Sequence, residues 1–421
     1  MGQTNPFSIT LLGSGGGVAK AVLAILNQSA QDNKDPMYPI IRKSQLHLID
    51  INQKDKEYYK RLFPHLINRM RLHQLDLNNA SHFKAHLKRT KTKIVIDVSW
   101  ADTIEMLTCC NELGVLYINS AFENTQVDED ESLYGFPLTE RYNRFEDSKG
   151  HLTSVKAIVN SGMNPGVVQW MALRLMKENR GKKPLACYIV EHDSSFFADK
   201  SLIDPKTIYT TWSVECFLDE AILSYPMFVQ HHLQHYFYEE VYAMEYKVRL
   251  GEKEFYGCLM PHEEVITLGD LFDMQIGFIY RVNEHTTELI RNNLDNVDDL
   301  WDWNMVLIDP EVGEVEGEDQ VGVLLVYEDK EKYIYNTLKS SDIYPKYKTS
   351  ATYFQVACGV YAGIASLLLD DLPAGIHYVD ELLLTTPSKY GDYLTYHMAD
   401  FVMGENKGSD GLLHERLRFI E

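Results

Sequence analysis

Hydrophobic and polar positions in the first 125 residues form short apolar runs separated by stretches of helical spacing. Residues 7–12 predict a strand, 18–29 a helix and 46–49 a second strand. A long helix is expected around 54–73, then the apolar stretch 75–77 and a helix near 81–87. A strand at 93–98, a helix at 101–113 and a strand at 115–119 follow. β-branched runs alternating with helices predict a parallel sheet covered on both faces. A polar insertion, 27–44, interrupts the pattern, and a charged loop is expected over 128–149 before a strand at 154–159.

From about 185 to 345 the pattern changes: strand-like runs at 187–190, 242–250, 322–326 and 333–336 predominate, as in an α+β domain. Residues 284–320, rich in Asn, Asp and Glu, predict exposed helices and loops, and the acidic run 309–319 a solvated loop. The apolar stretch 353–369 is interrupted by Gln355 and is shorter than the roughly 20 residues of a spanning helix. It predicts a buried helix that packs back on the first domain. A chain of 421 residues exceeds one ordinary core. The expected division is 1–160, 161–348 and 349–421.

The strongest chemical signal follows the first strand, where Gly13-Ser14-Gly15-Gly16-Gly17-Val18 joins strand to helix. Glycines there permit positive φ and close approach of a pyrophosphate, which the helix N-terminus then attracts. Val18 stands where the usual pattern has its third glycine. Asp50, ending the second strand, is placed to accept ribose hydroxyls and to repel a 2′-phosphate, favouring NAD over NADP. Asp97 and Ser99 end a later strand and are expected to line the cofactor crevice; Asp76 reaches the adenine edge or is a surface aspartate.

Charge and cysteine content narrow the class. Sixty-one acidic residues against 40 basic ones give a net charge of −21, which repels nucleic acid and anionic membranes and attracts polycationic small molecules. The six cysteines are scattered without a C-x-x-C pair, and the N-terminus lacks a basic and apolar leader pattern. A reducing, cytoplasmic setting is expected. His231 and His235 would share a helix face, but no acidic or cysteine ligand stands at zincin spacing, so no metal is expected.

Several blocks occur in the order seen in bacterial homospermidine synthases, relatives of the saccharopine reductases. They include Asn119-Ser120-Ala121-Phe122-Glu123, Gly162-Met163-Asn164-Pro165-Gly166, Glu191-His192-Asp193, Thr211-Trp212-Ser213-Val214-Glu215 and His262-Glu263-Glu264. The chain resembles this family over about residues 7 to 385. The resemblance implies an α/β fold: an N-terminal Rossmann domain completed by C-terminal helices, with an inserted α+β substrate and dimerisation domain. It further implies a homodimer, NAD as a recycled cofactor and a diamine such as putrescine as substrate. By position, Glu123, Glu191 and Glu220 resemble the family's amine-binding and proton-handling carboxylates, Trp212 its cation-binding indole, Asn164 its asparagine near the nicotinamide and His262 its active-site histidine.

Read without the family, these residues are less specific. Strand-end glutamates are commonly solvated, a lone tryptophan commonly packs in a core, and His262 has an ordinary partly buried reading. Trp212 and Glu220 are eight residues apart, on one face if helical. The sequence departs from the family at Glu123-Asn124-Thr125, where Glu-Pro-Trp is usual, and over residues 221–232. Two other readings stay open: an imine reductase of the saccharopine or carboxyspermidine type, and a non-catalytic NAD-binding protein.

Overall fold

The structure is a computed structural model that describes residues 7–179 and 181–420. The leader expectation, which concerns the start of the chain, falls partly on residues 1–6, outside that range.

Strands β1 (Ser8–Leu12), β2 (Gln45–Asp50), β3 (Met70–Gln74), β4 (Thr92–Asp97), β5 (Leu116–Asn119) and β6 (Lys156–Ile158) form a parallel sheet with a late strand, Gly375–His377. Its order is Gly375–His377, β6, β5, β4, β1, β2, β3. The chain winds one way from β1 to β3 and the other way from β4 to β6, so the order reverses between β1 and β4. All five residues of β1 are buried, as a central strand covered on both faces requires.

Helix α1 (Gly17–Ser29) covers one face and packs against the apolar helix Ala351–Leu369. The latter is the one helix among the described residues long and apolar enough to cross a membrane, and most of it is buried in the protein. Ser350 caps it by accepting the Tyr353 N–H at 3.3 Å. The polar insertion docks here too: buried Asp35 accepts from Tyr361 Oη at 2.6 Å and lies 3.1 Å from His397 Nε2.

Two expected elements differ. The helix expected over 54–73 is only Lys56–Leu62; Pro64 disfavours helical backbone at Phe63, and the chain continues into edge strand β3, so the stretch 75–77 lies beyond that strand. The charged loop contains the helix Pro137–Lys149, whose buried Leu138, Tyr142 and Phe145 recur at helical spacing beneath a charged face.

The second sheet has ten strands. Near its centre β7 (Ala186–Asp193) runs parallel to Gln275–Arg281 and antiparallel to Asp319–Val326. After the helices that return to the first sheet, Phe401–Lys407 and Leu417–Phe419 pair in this second sheet, where only C-terminal helices were expected. The acidic run is not a free loop either. Glu311 pairs with Lys20 of α1 at 2.8 Å and with Arg61 at 3.4 Å, and Asp319 is fully buried in its strand.

Candidate functional site

Ligands of open parallel sheets bind beyond the carboxyl ends of the strands, where strand order reverses. A cleft of about 780 Å³ opens there, between the two sheets. Gly13, just past β1, has φ +68°, and a Cβ on it would come within 2.5 Å of the Val98 carbonyl oxygen. Gly15 donates its N–H to Asp50 Oδ2 at 2.8 Å, and the other Asp50 oxygen accepts from Asn52 N–H at 2.8 Å. The carboxylate at the end of β2 thus braces the glycine turn. Gly16 precedes α1 and offers no capping side chain, which leaves the first-turn N–H groups for a ligand. A Cβ on Gly17 would lie 2.3 Å from the Tyr353 ring. Gly16, Gly17 and Val18 line the cleft. The turn therefore fits a pyrophosphate: backbone donors face the cleft, and side chains are excluded from the positions that need close approach.

Asp97 and Ser99 also line the cleft. Buried Asp97 accepts from the hydroxyls of Ser99 at 2.6 Å and Tyr117 at 2.9 Å, while burial raises its carboxyl to about 6. Asp76 is exposed, is not among the residues lining the cleft, and accepts the Asn78 N–H at 3.0 Å.

The opposite wall is built on β7 and its neighbours. Period-two alternation puts Glu191 on the cleft face beside Tyr280, its register partner on Gln275–Arg281. Asn164 Nδ2 donates to Glu191 Oε2 at 2.6 Å. Trp212 Nε1 donates to Tyr280 Oη at 3.2 Å, which fixes the indole over this face. Trp212 lies before the helix Val214–Ala221, not on it. Only Glu220 is helical, and folding rather than helix periodicity brings the two into one cleft. His262, ahead of helix Glu263–Leu271, points Nδ1 at Glu264 and holds Nε2 3.8 Å from Glu220 Oε1. Glu123 lines the cleft from beyond β5. All six expected catalytic residues thus converge.

Removal from water raises the carboxyls of Glu123, Glu191 and Glu220 to about 8, and nearby Asp193 reinforces the effect at Glu191. Burial disfavours the His262 cation, but Glu264 and Glu220 outweigh it and hold the ring near 10. Among the described lining residues, eight carboxylates face one guanidinium, Arg141. That guanidinium is already committed, to Asp128 and Asp219 at 2.8 Å each.

Several neighbours are given no site role by the sequence. Asp193 lies two residues from Glu191 on the same strand face, and Asp319 is its partner across the sheet. Thr211 and Thr352 donate to these two carboxylates. His262, Glu263 and Glu264 bring one potential metal-ligating atom each within 4.8 Å of the others. Their ion pairing accounts for that cluster. His231 and His232 occupy a hairpin turn with φ of 55° and 61°, so His231 and His235 share no helix face.

Residues 9–145 match the family described as the saccharopine dehydrogenase NADP binding domain. No curated protein matches the chain. Apo saccharopine dehydrogenase (L-Glu forming) from Saccharomyces cerevisiae is similar in fold, with a TM-score of 0.58 at 12% identity over 96% of this chain and 100% of that one. GenD2 from gentamicin A biosynthesis, solved in complex with NAD, aligns at a TM-score of 0.35 and 10% identity over 81% of this chain and 74% of that one.

Proposed function

With an N-terminal dinucleotide-binding domain as the starting point, we propose that this protein is an NAD-dependent polyamine synthase of the homospermidine synthase type. One diamine is oxidised to an imine, a second amine displaces ammonia from it, and the new imine is reduced. The observation that carries this reading is the excess of acidic groups in the cleft: eight carboxyl groups line it against two cationic groups that are already paired, Arg141 with Asp128 and Asp219, and His262 with Glu264 and Glu220. Such a wall holds ammonium groups as ion pairs and, once raised toward neutral pH, removes protons from them.

Bound NAD supplies the acceptor and donor of a single hydride. Glu191, held by Asn164, takes the proton that must leave an amine before it can be oxidised. The Trp212 face stabilises the ammonium or iminium, by roughly 0.5–2 kcal/mol. Glu220 and His262 hold the second amine and pass protons during exchange, and Glu123 binds an ammonium at the far side. Asp50 favours NAD, because a 2′-phosphate would meet its carboxylate.

A reductase of the saccharopine type, which the domain match favours, needs a cation for its substrate's carboxylate. Arg141 is not free to serve. The test is incubation with putrescine and NAD, followed by mass analysis. Homospermidine and ammonia are expected. Turnover only of a keto acid with an amine and reduced cofactor would replace this reading with the reductase, and bound NAD with no amine turnover would replace it with a binding protein.

A further inference from the structure

On the outer edge of the first sheet, away from the cleft, three histidines meet. His47 is on β2, His73 on edge strand β3, and His86 on the helix Ala80–Thr90 that covers this face. One ring nitrogen of each lies within 4.8 Å of the other two. We infer that His47, His73 and His86 form a binding site for one divalent transition-metal ion of the zinc type.

The geometry suits tetrahedral coordination. Zinc–nitrogen bonds of about 2.0–2.1 Å at tetrahedral angles place nitrogens about 3.3 Å apart and ring centroids roughly 5 Å apart. His47 Nδ1 and His73 Nε2 are 3.0 Å apart, and the three centroid separations are 5.2, 5.6 and 4.6 Å. A dication would take the place of the proton His47 and His73 share. His86 Nε2 is buried without a hydrogen-bond partner, so this ring has an unused nitrogen in the interior. Burial keeps all three rings from protonating, with His47 lowered to about 4 and His86 to about 3, and neutral imidazole is the form that ligates.

Arg71 and Arg89 add to that effect, and Arg89 Nη2 lies 3.3 Å from His86 Nδ1. Both arginines are exposed; Arg71 is turned to the Met70 carbonyl at 2.9 Å, and Arg89, bonded among the described residues only to His86, can swing outward as the ion enters. An all-imidazole set without carboxylate or thiolate selects zinc-like ions over magnesium or calcium. Half-buried His73 gives access from solvent and leaves the fourth position to water.

Cobalt titration of tag-free, metal-stripped full-length protein tests the site. One equivalent is expected to produce the intense d–d absorption of a tetrahedral site, which zinc then abolishes. His73→Gln, at the half-buried position, should lose the band with its metal-free thermal midpoint little changed; the double variant His231→Asn/His232→Asn should keep it. No band, or a band lost in the hairpin variant instead, overturns the assignment. Should His73→Gln not fold, X-ray absorption of the zinc-loaded natural protein decides: three imidazoles support the site, whereas one imidazole with carboxylates places the ion at His262 and refutes it.

Discussion

Gly13 combines left-handed backbone with a Cβ position 2.5 Å from the Val98 carbonyl oxygen. Gly13→Ala should cost about 1–2 kcal/mol from backbone conformation alone. The expected outcome is a lower thermal midpoint and weaker NAD binding, both readable by calorimetry. Trp212 stands on the wall built on β7, bonded to Tyr280, and not at the glycine turn. Trp212→Ala should lower kcat/KM for a diamine by about tenfold or more while the NAD dissociation constant stays unchanged; unaltered turnover would remove the indole from the site. Asp50 braces Gly15 from the end of β2, the position at which dinucleotide sites hold a ribose. NAD should therefore bind more tightly than NADP, and Asp50→Ser should narrow the difference in a direct binding titration. Local context in the sequence points to Gly13 and Asp50, a turn after a strand and a charge at a strand end, whereas Trp212 is implied by the family resemblance.

At the scale of elements, β7 explains why Glu191 is a stronger base than an ordinary glutamate. Alternation places Asp193 on the same face, and the antiparallel neighbour brings Asp319 opposite Asp193. Three carboxylates share a buried surface, and Asp193 helps to hold Glu191 near 8. Asp193→Asn removes that repulsion and nearly preserves shape. The Glu191 carboxyl then ionises at lower pH, so the acid limb of the kcat/KM profile should move down; a stationary limb would separate Asp193 from the proton chemistry. The Glu-His-Asp triplet is visible in sequence, but its third carboxylate lies 126 positions beyond Asp193, and only strand pairing reveals it. The same holds for Trp212 and Glu220. Helical spacing suggests one face, yet the helix begins after Trp212, and it is the cleft that unites them.

For the whole molecule, the raised groups predict how stability responds to pH. Glu123, Glu191 and Glu220 shift from 4.5 to about 8, and His262 from 6.5 to about 10. A pKa raised by folding gives stability that is complete below the unfolded value and lost as pH climbs through the folded one. The lowered rings of His47 and His86 act oppositely, but only below about 6.5, where unfolded histidine protonates. Between pH 7 and 9 the ligand-free thermal midpoint should fall, and putrescine should restore more of it at pH 9 than at pH 7. A midpoint that rises across this range would contradict the charge assignments. The parallel sheet, the glycine turn and the buried apolar helix were settled by local sequence, because hydrophobic period, backbone freedom and strand ends act over a few residues. Tertiary structure alone decided that Asp193 and Asp319 share a buried surface with Glu191, that Arg141 is neutralised, and that the last strands return to the second sheet. Those outcomes depend on pairing and desolvation between segments far apart in the chain, which no short window of residues encodes.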